Sequence, residues 1–213
     1  YMTPSIVEHL MAGKVALGGV SLEVSILFSD IRDFTSISEH MDAHELVALL
    51  NEYFTAMVDI VIDEGGVVDK YIGDAIMAVF GAPVPGAEDT LHAVRAAVRM
   101  RAALEKLNAD LERRGKPALK TGIGIHTGTV VAGNIGSESR MEYTVIGDTV
   151  NLASRLEGKT KELGVGIVIS EDTWAMLEGK IVARRLSEIT VKGRAQPVVV
   201  YEVTGMVDDA EAA

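Results

Sequence analysis

The chain has 213 residues, enough for one domain with a substantial core, and its 48% hydrophobic and 24% charged content is that of an ordinary globular protein. Its net charge of −11 argues against a nucleic-acid surface, which needs clustered Lys and Arg, so no nucleic-acid partner is expected. There are no cysteines, which excludes disulfides, thiolate zinc sites and a cysteine nucleophile together.

The chain opens on Tyr1, and residues 2–19 read as an amphipathic helix ending at Gly18-Gly19. Two readings stay open for residues 1–21: the end of a connector from an upstream module, or a simple capping helix. No apolar run approaches the ~20 residues a membrane helix needs, and no signal peptide is recognised. The domain is expected in the cytoplasm, and membrane attachment of the parent chain stays open.

Residues 23–29 (EVSILFS) form a short β-branched and aromatic run, a buried strand. Over 42–62 the apolar positions Leu46, Leu49, Leu50, Tyr53, Phe54, Met57, Val58 and Val61 recur at helical spacing, with Asp42 and Glu45 as a capping box and Gly65-Gly66 as the stop. Residues 67–72 and 75–80 read as a hairpin around Gly73-Asp74. After Pro83, Pro85 and Gly86 a long helix runs over about 89–114.

Residues 119–132 (LKTGIGIHTGTVVA) are strand-like but rich in Gly, which marks close approach of a ligand or a neighbouring element. A strand at 143–146 leads into a helix over 149–163. Strands near 165–169, 182–186 and 198–203, and a short helix at 171–177, complete the chain. Residues 206–213 form an acidic-alanine tail. The order β-α-β-β-α-β with additions describes an α+β fold, a ferredoxin-like βαββαβ sandwich with extra C-terminal strands and helix. Its helices are expected on one face of a mainly antiparallel sheet.

Two aspartates stand where chemistry can happen. Asp30 ends the first strand in FSDIRDFT, and Asp74 sits in the hairpin turn of DKYIGDAIMAVFG. Carboxylates at a strand end and at an adjacent turn can converge above a sheet, and hard Mg²⁺ or Mn²⁺ ions take oxygen ligands. A lone Asp in a turn is ordinarily just a turn residue, so the pair carries the argument. The chain after Asp30 enters a short helix whose free N–H groups, around Asp33, Phe34 and Thr35, can hold a triphosphate. Asn151 and Arg155 are four apart on one helix and so share a face. Asp148 reads as a helix cap and His126, between Ile125 and Thr127, as structural.

The segments FSDIRDFT, DKYIGDAIMAVFG, GIGIHTGTVVAGNIGS and YTVIGDTVNLASRLE, in this order, resemble the class III nucleotidyl cyclases over residues 22–205. The resemblance implies an adenylyl cyclase that converts ATP to cyclic AMP with two Mg²⁺ or Mn²⁺ ions per active site. It implies that Asp30, Asp74 and the Ile31 carbonyl hold metal, and that Lys70 and Thr144 select the purine. Asn151 would orient the ribose, Arg155 would stabilise charge on the reacting phosphate, and Lys192 would reach the terminal phosphates. It further implies a head-to-tail homodimer, with the metal aspartates from one protomer and Lys70, Thr144, Asn151 and Arg155 from the other.

Chemistry agrees with the purine assignment. Adenine offers an acceptor at N1 and a donor at its 6-amino group, which suits a Lys donor with a Thr acceptor; guanine has the reverse arrangement. Guanylyl-selective relatives commonly carry an acidic residue at the lysine position. Two departures from the family pattern stand out. Thr144 replaces a common Asp, as in a subgroup that includes bicarbonate-responsive cyclases, so bicarbonate is carried as an expected effector on that residue alone. Gly122 stands where some relatives have an arginine. The competing readings are a degenerate non-catalytic module, a guanylyl cyclase, a diguanylate cyclase and a P-loop ATPase; the signatures of the last two are absent.

Overall fold

The computed structural model describes residues 18–137, 139–190 and 197–207, and these form eight strands and five helices. In chain order they are β1 (Gly18–Ile31), α1 (Phe34–Glu39), α2 (Ala43–Asp63), β2 (Val67–Ile72), β3 (Ala75–Phe80) and α3 (Asp89–Arg113). There follow β4 (Thr121–Ser137), β5 (Arg140–Ile146), α4 (Asp148–Leu163), β6 (Ile167–Ser170), α5 (Glu171–Ala175), β7 (Ile181–Ile189) and β8 (Val198–Met206). Lys192, nearly all of the expected connector and the end of the tail lie outside the described residues.

The strands form one sheet in the order β2-β3-β1-β4-β6-β8-β7, with β5 paired to the outer half of β4. The first four strands are mutually antiparallel, in the arrangement of a ferredoxin-like βαββαβ sandwich. β6 joins β4 in parallel and opens the C-terminal extension.

Local chemistry explains the element ends. Asp42 caps α2 by accepting from His44 N at 2.9 Å and Glu45 N at 3.4 Å. Its buried stripe, Leu49, Tyr53, Met57, Ile60 and Val61, follows helical spacing. The helix stops where Gly65 takes φ 75, a left-handed conformation that costs glycine little.

The helices cover both faces of the sheet rather than one. Alternate residues of a strand face opposite sides. Ile123 and Ile125 of β4 pack into the core shared with α2 and α3, while Gly122 and Gly124 face α4. A Cβ on Gly124 would lie 2.1 Å from Glu157 N and 2.6 Å from Ala153 O, and one on Gly122 would meet Thr160 Oγ1 at 2.1 Å. Gly124 therefore admits the helix backbone, and any side chain at position 122 would have to displace Thr160 and Glu157.

Residues 18–21, expected in the connector, belong to β1 and pair with residues 131–134 of β4. Likewise β4 continues to Ser137 and turns back as β5 from Arg140, well beyond the expected strand ends. Cross-strand pairing, not local propensity, extends these Gly-containing ends. Asp148 is the first residue of α4 rather than its cap: the N-cap is Gly147, and Asp148 lies in the first turn, where a carboxylate favours the helix dipole.

Candidate active site

Asp30 and Asp74 meet. The Ile31 N–H donates to Asp30 Oδ1 at 3.0 Å and to Asp74 Oδ2 at 3.3 Å, so one backbone amide gathers both carboxylates. β1 delivers Asp30 at its end, and the β2–β3 hairpin delivers Asp74 at its turn, where Gly73 takes φ 65. Burial, together with the hydrogen bond and charge of Asp74, pushes the Asp30 carboxyl up to about 6.

A third carboxylate was not anticipated. Burial first, then the charges of Asp30 and Asp74, push Glu157 up to about 7 against the opposing effect of Arg32. Glu157 lines a cavity of about 210 Å³ with Asp30, Ile31, Arg32, Asp33, Thr160 and Lys161. Its spacing from Asn151 in the NLASRLE run was visible, but its approach to β1 depends on the glycines of β4. This donor set suits a hard divalent cation, because a positive charge would relieve the repulsion that Asp74 exerts on Asp30 and that both exert on Glu157. Among the described residues no three His, Cys, Asp or Glu side chains are arranged to hold a metal by themselves. Backbone, substrate or water oxygens would complete such a shell.

The expected phosphate loop follows directly. Asp33 precedes α1 in a left-handed conformation, φ 57 and ψ 28, and its carbonyl accepts from Ser36 N at 3.0 Å. The Asp33 carboxylate is paired with Lys161 Nζ at 2.6 Å, which lowers its pKa. Phe34 and Thr35 open the helix, where first-turn N–H groups have no carbonyl four residues back. Phe34 itself packs on the core. Lys161, 128 residues away in sequence, had no signal of its own.

Lys70 and Thr144 form a second cluster, centred on a residue that motif reading passed over. Thr144 Oγ1 donates to Asp69 Oδ2 at 2.9 Å, and Lys70 Nζ lies 3.3 Å from the same oxygen and 3.6 Å from Glu142. Burial raises the Asp69 pKa, opposed by Thr144 and Lys70. The clue was an aspartate inside a strand, where Asp is disfavoured.

Asn151 and Arg155 lie one turn apart on α4, Asn151 exposed and Arg155 half-buried. Among the described residues, no hydrogen bond or ion pair joins either to Asp30 or Asp74. Arg155 Nη1 is buried without a hydrogen-bond partner among the described residues, a donor held ready for an acceptor. His126 is buried, with Nδ1 2.8 Å from Ser170 Oγ, in a structural setting.

With this geometry in view, similarity to known proteins is informative. Residues 20–205 match the adenylate and guanylate cyclase catalytic domain, and the chain belongs to that family. It is 40% identical over 185 residues to adenylate cyclase 1 of Rhizobium meliloti, covering 87% of this chain and 28% of that relative. The chain thus spans less than a third of that protein's length. Among solved structures, the adenylyl cyclase CyaB from P. aeruginosa is 39% identical with a TM-score of 0.82, covering 88% of this chain and 96% of that one. The guanylyl cyclase Cya2 is 40% identical with a TM-score of 0.81, covering 89% and 95%. Overall likeness therefore does not choose the purine; the side chains around Lys70 must.

Proposed function

We propose that the chain is an adenylyl cyclase that converts ATP to 3′,5′-cyclic AMP and pyrophosphate, by intramolecular attack of the ribose 3′-oxygen on the α-phosphate. The observation that carries the reading is the convergence of Asp30 and Asp74 on the Ile31 N–H. These carboxylates, with the Ile31 carbonyl, would hold two Mg²⁺ or Mn²⁺ ions. Such ions supply Lewis acidity that lowers the 3′-hydroxyl pKa and offset charge on the triphosphate.

The remaining work belongs to the side chains. Lys70 donates to adenine N1 and Thr144 accepts from the 6-amino group. Asn151 holds the ribose in line, and the unpartnered Nη1 of Arg155 is a preorganised donor to the charge that grows on the reacting phosphate. The N–H groups at Asp33, Phe34 and Thr35 receive the terminal phosphates, with Lys192. Among the described residues no side chain is placed as an obvious general base.

The family resemblance supports a head-to-tail homodimer in which each active site takes its metal aspartates from one protomer and Lys70, Thr144, Asn151 and Arg155 from its partner. The buried Arg155 Nη1, without a partner among the described residues, is consistent with an acceptor supplied from outside the chain. Among the described residues no helix is long and apolar enough to cross a membrane, and the catalytic domain is assigned to the cytoplasm, where ATP is available. Bicarbonate responsiveness rests on Thr144 alone. A flat rate across bicarbonate at fixed pH would remove it.

The test is product formation from ATP and GTP separately, with Mn²⁺ and with Mg²⁺, over a range of protein concentrations. Cyclic AMP with a specific activity that rises with protein concentration is expected. Cyclic GMP instead would favour a guanylyl cyclase, the second reading, which the likeness to Cya2 keeps in view. No cyclic product with either metal would point to a non-catalytic module.

A further inference from the structure

Asp69 lies inside β2 with its side chain only 5% exposed. Strands β2 and β3 pair Val68 with Ala78 and Lys70 with Met77, so Asp69 is an extra residue with no partner opposite. A bulge of this kind bends its strand and re-aims side chains. Here it leaves Asp69 and Lys70 addressing one place: the Asp69 Oδ2 that lies 3.3 Å from Lys70 Nζ also accepts from Thr144 Oγ1 at 2.9 Å. Strand β5 brings Thr144 there through its pairing with Gly133 of β4, a strand that β3 and β1 separate from β2 in the sheet order.

An ionised carboxylate only accepts hydrogen bonds, and the Lys70 ammonium beside it favours the ionised form. The Thr144 proton is therefore committed to Asp69, and its oxygen has only lone pairs left to offer. A free hydroxyl would rotate to suit either partner, donating to a carbonyl or accepting from an amine. Thr144 is 8% exposed, so water can do little to soften a mismatch.

We infer that Asp69 is a specificity-determining positioning residue: it holds the Thr144 hydroxyl as an acceptor, so that the site takes a 6-aminopurine nucleotide and rejects a 6-oxopurine one. Asp69 acts through Thr144 and does not itself touch the base. The adenine 6-amino group meets a lone pair, whereas the guanine 6-carbonyl meets lone pair against lone pair. The inference rests on the assignment of Lys70 and Thr144 to the purine.

The experiment measures the ratio of kcat/KM for ATP to that for GTP in the full chain and in Asp69→Ala, Thr144→Val and the double variant. Asp69→Ala is expected to lower the ratio about tenfold, chiefly by admitting GTP. Thr144→Val should lower it comparably, and the double variant no further than Thr144→Val alone, because Asp69 then has no hydroxyl to orient. Thr144→Ser, which keeps the hydroxyl, should hold the ratio near wild type. Asp69→Leu, which keeps the branched side-chain skeleton without an acceptor, should match Asp69→Ala and replaces it if that variant does not fold. An unchanged ratio in the Asp69 variants, or additive losses in the double variant, overturns the inference and leaves the ATP assignment standing. A wild-type enzyme that prefers GTP overturns the assignment, and the inference with it.

Discussion

Asp30 and Asp69 are both strand aspartates drawn away from water, and burial raises the pKa of each. Their neighbours treat them oppositely. Asp74 pushes the Asp30 carboxyl further up, and Glu157 adds negative charge beside them. Around Asp69, Thr144 and Lys70 push the carboxyl back down. One cluster is electrostatically incomplete within the chain and suited to a cation; the other is internally paired and suited to reading shape and hydrogen-bond pattern. An acidic residue in a candidate site therefore does not declare its role by type. Its neighbours do.

The contrast is tested most severely by Asp74→Ala. Turnover should fall on the order of 10³-fold or more, with an unchanged circular dichroism spectrum. Substantial cyclic AMP formation by this variant would remove the metal assignment. On the other side, Lys70→Ala should lower kcat/KM for ATP by about 10- to 100-fold and for GTP by less. Equal losses for both nucleotides would strip Lys70 of its purine role.

Metal addition separates the two clusters thermodynamically. In the metal-free protein the Asp30 carboxyl titrates near 6, above its ordinary 3.8. Its stabilising contribution is therefore fully present below about 3.8 and is lost as pH rises through about 6. Mg²⁺ or Mn²⁺ needs the ionised form, so stabilisation should be large at pH 8 and small at pH 5. At roughly a hundred times the dissociation constant it approaches about 2.7 kcal/mol. Thermal melts at both pH values, with and without metal, measure it. An equal shift at pH 5 and pH 8 would place the ion elsewhere.

Glu157→Gln is the finest test. The Glu157 carboxyl titrates near 7 in the fold against an ordinary 4.5, so its contribution is present below about 4.5 and is lost as pH rises through about 7. The amide cannot ionise, so the metal-free variant should gain about 1 kcal/mol at pH 8, after discounting for solvent screening, and nothing at pH 4.5. Denaturant melts at the two pH values would show it, and a variant no more stable at pH 8 would remove Glu157 from the acidic cluster.

Much of this was legible in the sequence. The 67–72 and 75–80 hairpin matches β2 and β3, because a Gly-Asp turn between two β-branched runs is a strong local signal. The same motif announced Asp74. What escaped is what depends on distant partners. The bulge at Asp69 appears only when β2 meets β3, Glu157 approaches Asp30 only because Gly122 and Gly124 admit α4, and Lys161 finds Asp33 from 128 residues away.

By itself, the amino-acid order determined the βαββαβ core, through hydrophobic period and turn residues, and the identity of the cyclase motifs. Those are local codes, written within a few residues. Tertiary structure alone decided which carboxylates face each other, which hydroxyl proton is committed and which buried arginine nitrogens, on Arg32 and Arg155, are left without a partner among the described residues. Each of these is set by approaches of a few ångströms between elements far apart in the chain, where burial strengthens every charge and hydrogen bond.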